Sequence, residues 1–71
     1  MDEKLIAKQL TEVTNLTNIL CTTEPIDRKL LKKHKKNIGN LIRGYKNIGN
    51  PSVTDFEVAY SRIVLKLESI N

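Results

Sequence analysis

Two side chains in this sequence could serve as a nucleophile or a general base, Cys21 and His34, and each is the single residue of its type. A thiol attacks only when a base or a positive pocket turns it into a thiolate, and no histidine stands close to Cys21 in sequence. Cys21 is therefore expected to be a small buried hydrophobe near a helix end. His34 lies four residues from both Leu30 and Ile38, at the border of an apolar stripe, and is expected to be structural. One cysteine and one histidine cannot supply the three or four ligands that zinc needs. Gly39, Gly44 and Gly49 follow no strand, so no phosphate-cradling or dinucleotide fingerprint is present. The expectation is no catalytic residue, no metal, no cofactor and no small-molecule substrate. Three short helices do not enclose a sizeable pocket, so the chain is read as a non-enzyme.

Charge is the residue class with a pattern. The chain carries a net +4, but residues 25–50 hold +7, flanked by segments of −2 (1–24) and −1 (51–71). Arg28, Lys32, Lys35, Lys36, Arg43 and Lys46 recur at near-helical spacing, and the expected placement is a solvent-facing ridge opposite the apolar stripe. Such a ridge could neutralise phosphates, releasing counterions and making affinity strongly salt-dependent, or it could engage an acidic protein surface. Five of the six cations between Arg28 and Lys36 are lysine, whereas bidentate reading of guanine favours arginine, and no aromatic interleaves the run. Non-specific phosphate binding is the most the ridge supports by itself.

A second pattern lies on the first helical segment. Ala7, Thr11, Thr14 and Asn18 form a band of small, uncharged side chains beside the apolar stripe. Threonine and asparagine are mediocre helix formers, so a face chosen for helix stability alone would carry Glu, Lys or Gln instead. A charge-poor band of this kind suits close approach of another protein surface or of a second copy.

These residues need elements to position them, and the apolar spacing of three and four residues supplies helices throughout. The first is expected over about residues 3–21, with Ile6, Leu10, Val13, Leu16 and Leu20 on one face and Leu5 and Ile19 widening it. Pro25 ends that stretch and opens the second helix, about 25–47, which carries Ile26, Leu30, Leu31, Ile38, Leu41, Ile42 and Tyr45 on its apolar side. Gly39 and Gly44 inside it predict either a close helix approach or a break near Gly39. Lys36–Asn40 repeats as Lys46–Asn50, and the second copy is expected to stop the helix, with Gly49 left-handed and Pro51 just beyond. The third helix, about 54–70, opens on Thr54-Asp55-Phe56-Glu57, which matches a capping box, with Ser52 as the competing cap, and continues as the stripe Phe56, Tyr60, Ile63, Leu67, Ile70. Connections of about 3–6 residues then give an all-α fold, an antiparallel three-helix bundle, as a single domain over 1–71.

At 71 residues and without a disulfide or metal, such a bundle must rely on helix packing or on a partner. The start Met1-Asp2-Glu3-Lys4 lacks the features of a signal peptide, and the longest apolar run is Ile63-Val64-Leu65, so a cytoplasmic chain that enters no membrane is expected. The leading functional expectation is a small regulatory protein, an inhibitor or adaptor of the kind phages and plasmids encode, docking on another protein through the α-helical band and the basic helix. The alternatives are nucleic-acid binding through the same basic face and self-association as a homodimer.

Overall fold

The computed structural model describes residues 3–70, in which three helices follow one another: α1 (Glu3–Thr22), α2 (Arg28–Asn47) and α3 (Val53–Ser69). Met1 and Asp2, the start of the acidic opening, lie outside the described residues. The helices form an antiparallel three-helix bundle, a rod of 37 × 19 × 15 Å, one helix long and two helices across. Helices α2 and α3 pack most closely, α1 leans on α3, and the α1–α2 side is the most open.

The core is the seam between α2 and α3. Leu31, Ile38 and Tyr45 from α2 meet Phe56, Ala59 and Ile63 from α3, with Ile6 and Val13 of α1 closing the layer. Fully burying each of Leu31, Ile38, Phe56 and Ile63 contributes about 1.5–3 kcal/mol over leaving it in water. The Tyr45 and Phe56 rings stack with centroids 5.0 Å apart and planes 10° from parallel, and the Tyr45 hydroxyl donates to Gln9 Oε1, tying α2 to α1.

The buried stripe of α1 departs from expectation. Leu16 is exposed, as are Leu5 and Ile19, while Thr17 takes the buried place between Val13 and Leu20. Ile6, Leu10, Val13, Thr17 and Leu20 keep the helical phase, whereas Leu16 is one position off it. Leu30 of α2 is likewise exposed and Leu31 buried instead.

Helix ends also differ from the sequence reading. α2 begins at Arg28 and not at Pro25, because Asp27 is its N-cap: the Asp27 carboxylate accepts the Leu30 N–H at 3.1 Å. Pro25, after a cis peptide bond, stays in the connection. α2 passes through Gly39 without a break, and a Cβ there would meet Tyr60 Cε2 of α3 at 3.7 Å, an ordinary van der Waals distance, so helix approach does not require the glycine. At its C-terminus the Asn50 N–H reaches the Tyr45 carbonyl (2.9 Å) and the Gly49 N–H the Lys46 carbonyl (3.0 Å), with Gly49 at φ 66°. This is the paired closure of a Schellman cap. The Thr54–Glu57 capping box does not form. α3 already starts at Val53 with Ser52, the competing cap, as its N-cap residue; no side chain caps it, and Asn50 Oδ1 accepts the Ser52 N–H at 2.8 Å across Pro51.

Gly44 and Gly49 both face open space, yet alanine should act on them with opposite signs. Gly44→Ala removes a flexible residue from an exposed helix interior and should stabilise by about 1 kcal/mol. Gly49→Ala forces a side chain into the left-handed region and should cost about 1–2 kcal/mol. Thermal melts should therefore move in opposite directions, by about 4–8 °C per kcal/mol for a domain of this size.

Candidate functional site

The burial of Leu31, Ile38 and Tyr45 sets the rotation of α2, and that rotation carries Lys32, Lys35, Lys36 and Arg43 toward α3. Lys32, Lys36 and Arg43 are exposed, as the expected solvent-facing ridge requires, and Lys35 is partly buried on the α3 side. The four line a groove of about 420 Å³ together with Gly39, Asn40, Tyr60 and Leu67. From Lys32 to Arg43 the cations span about 16 Å of helix.

Tyr60 is the residue the sequence reading missed at this site. No aromatic interleaves the cations along the chain, but α3 brings the Tyr60 ring to the groove, and the Lys35 ammonium lies over it, 5.9 Å from the centroid. No spacing within α2 or α3 pairs Tyr60 with these cations; the pairing comes from how the two helices pack. Among the groove's lining residues there is no carboxylate, thiol or imidazole. The chemistry it offers is charge neutralisation beside an aromatic face, with Asn40 Oδ1 already accepting from Arg43 Nη2 at 3.3 Å.

The other two predicted cations mark the ends of the row. Arg28 is exposed at the start of α2, and Lys46 is drawn to Glu57 at 3.8 Å, an exposed pair contributing about 0–1 kcal/mol. The small band on α1 is also where it was expected: Ala7, Thr11, Thr14 and Asn18 are all exposed. Its hydroxyls are turned inward along the helix, Thr11 donating to the Ala7 carbonyl at 2.9 Å and Thr22 to that of Asn18 at 2.7 Å. The structure does not join this band to the basic groove. α3 stands between them, with Tyr60 and Leu67 on the α2 side and Arg62, Leu65 and Lys66 beside Cys21 of α1.

No family model, curated protein or solved structure matches this chain. The reading of the groove therefore rests on its own geometry. Among the described residues, no three His, Cys, Asp or Glu side chains gather where they could share a metal ion, and no helix is long and apolar enough to cross a membrane. Cys21 is a free thiol, half-buried against the core.

His34 is buried, at 5% exposure, and binds across the α1–α2 interface: Nε2 lies 2.9 Å from Thr17 Oγ1, itself fully buried. The Thr17 hydroxyl spends its hydrogen on the Val13 carbonyl at 2.7 Å, so Nε2–H must be the donor to Thr17. Desolvation by burial lowers the His34 pKa below its ordinary 6.5, partly offset by hydrogen bonding to the Val13 backbone. The unfolded chain thus takes up the proton first as pH falls, and stability present above about pH 6.5 is lost below it. Melting temperature should drop between about pH 7.5 and 5.5, and the drop should shrink in His34→Gln, which keeps a donor for Thr17 but cannot titrate in this range. Equal pH dependence in the two proteins would contradict this assignment.

Proposed function

We propose that this chain is a binding protein, without chemistry of its own, that docks on the phosphate backbone of nucleic acid through the α2–α3 groove. The observation carrying this reading is the row Lys32, Lys35, Lys36 and Arg43 along a groove with an aromatic wall and no carboxylate. Lysine suits phosphate as a point charge, whereas cores of protein–protein interfaces are depleted in it. The groove has little equipment for reading base edges, so binding is sequence-independent. A cytoplasmic setting belongs to the same proposal, where nucleic acid is at hand and the Cys21 thiol stays reduced.

A second reading, a protein partner held by α1, is favoured by one observation. The band Ala7, Thr11, Thr14 and Asn18 is exposed and uncharged, and the Thr11 hydroxyl is bonded back to the Ala7 carbonyl. The two readings place the partner on separate faces, so variants separate them.

Fluorescence anisotropy with labelled DNA and RNA oligonucleotides at about 50 and 200 mM salt tests the first. Four groove cations should give a log–log salt slope of about −3, and Lys32→Ala with Lys36→Ala should flatten it by about 1.5 and weaken binding at least tenfold. Thr14→Glu should leave this binding unchanged, while abolishing a protein contact made through α1. No binding at the lower salt, or affinity indifferent to salt, would contradict the phosphate reading.

A further inference from the structure

Among the described residues, four of the seven large apolar side chains left in water belong to α1 and α2, and the other three, Ile48, Val58 and Leu65, to the α2–α3 connection and α3. Leu5 (63% exposed), Leu16 (43%) and Ile19 (56%) run in one row along α1, and Leu30 (48%) stands on the facing flank of α2. Leu16 and Leu41 line the cleft between these two helices, about 230 Å³ in volume, with Val13, Ile38 and His34 also in its lining. This is the side on which α1 and α2 pack least closely. An exposed apolar row of this kind on so small a domain is suited to an interaction surface.

The row on α1 is complementary to itself. Laid antiparallel on a second α1 about a two-fold axis, Leu5 faces Leu16 of the other copy and Lys8 faces Glu12, each pairing occurring twice in nearly the same register. Lys8 and Glu12 have no ion-pair partner among the described residues of a single chain. Charge also selects this face over the others. Residues 1–24 carry −2, so two α1 helices repel each other far less than two +7 α2 segments would.

From this geometry we infer that a second copy of this chain covers the open side, α1 against α1 in antiparallel order, extending the three-helix core across the two-fold. Both basic grooves then stay open to solvent, because they lie on the far flank of α2. The inference stands apart from the polyanion reading and does not depend on it.

Analytical ultracentrifugation over about 10–500 µM should show the mass rising from 8.1 kDa toward twice that value. Leu16→Glu should stay monomeric at all concentrations with an unchanged circular dichroism spectrum, since Leu16 is outside the core. Val58→Glu, the same kind of change at an exposed apolar position on α3, should dimerise as the parent does. Lys8→Glu should weaken the dimer at least tenfold, and adding Glu12→Lys should restore it, with the helix content of both variants equal to that of the parent, so that a Lys8–Glu12 pair within one helix does not account for the change. A parent chain that stays monomeric at 500 µM (about the top of that range), a Leu16→Glu variant that dimerises normally, or a Lys8→Glu defect that Glu12→Lys does not rescue would each overturn the inference.

Discussion

Burial of Leu31, Ile38 and Tyr45 along one line of α2 fixes how that helix is turned about its own axis, and the placement of every other group on the basic segment follows from it. Each of these side chains must meet the α3 seam, and an α-helix allows no independent choice for the residues between them. Lys32, Lys35, Lys36 and Arg43 are thereby carried to the edge of the seam, where α3 supplies Tyr60 and Leu67 as the opposite wall. Packing that does not involve the cations fixes where on α2 each one starts, while the Lys32, Lys36 and Arg43 side chains stand in solvent.

The same seam explains the looser place of α1. With Tyr45 and Phe56 stacked and Ile38 and Ile63 fully buried, the α2–α3 pair closes most of its apolar surface without help. α1 is fastened by Ile6 and Val13 and by two polar ties, Gln9 to Tyr45 and Thr17 to His34. Polar ties across a buried interface set register more than they add stability, and they leave Leu5, Leu16 and Ile19 uncovered. The division of labour is between the α2–α3 hairpin, which shapes the cationic groove, and α1, whose outer apolar row stays exposed.

Much of this was legible from residue spacing. The three helices, the left-handed Gly49 and the apolar stripe of α3 from Phe56 to Ile70 follow from periodicity and turn chemistry alone. What was not legible turned on tertiary placement. Leucine at 16 and threonine at 17 read as buried and exposed by type, yet helical phase and the His34 imidazole reverse them. The Thr54–Glu57 pattern satisfies the capping-box formula, but α3 already starts at Val53 and leaves Thr54 inside its first turn. The site was half visible: its cations are a run in the sequence, while Tyr60 reaches them only through an interhelical contact at Gly39. Spacing within one segment carries no information about which residue of another segment lies across the groove.

The central claim is that the α2–α3 groove is the seat for an anionic chain, and the most direct test is to see which backbone amides respond. Two-dimensional amide spectra recorded while titrating a short single-stranded oligonucleotide should move the resonances of Lys32, Lys35, Gly39, Asn40 and Tyr60 together, and leave Ala7, Thr14 and Asn18 in place. Shifts confined to α1, or scattered evenly over every exposed lysine including Lys4, Lys8 and Lys66, would contradict the claim.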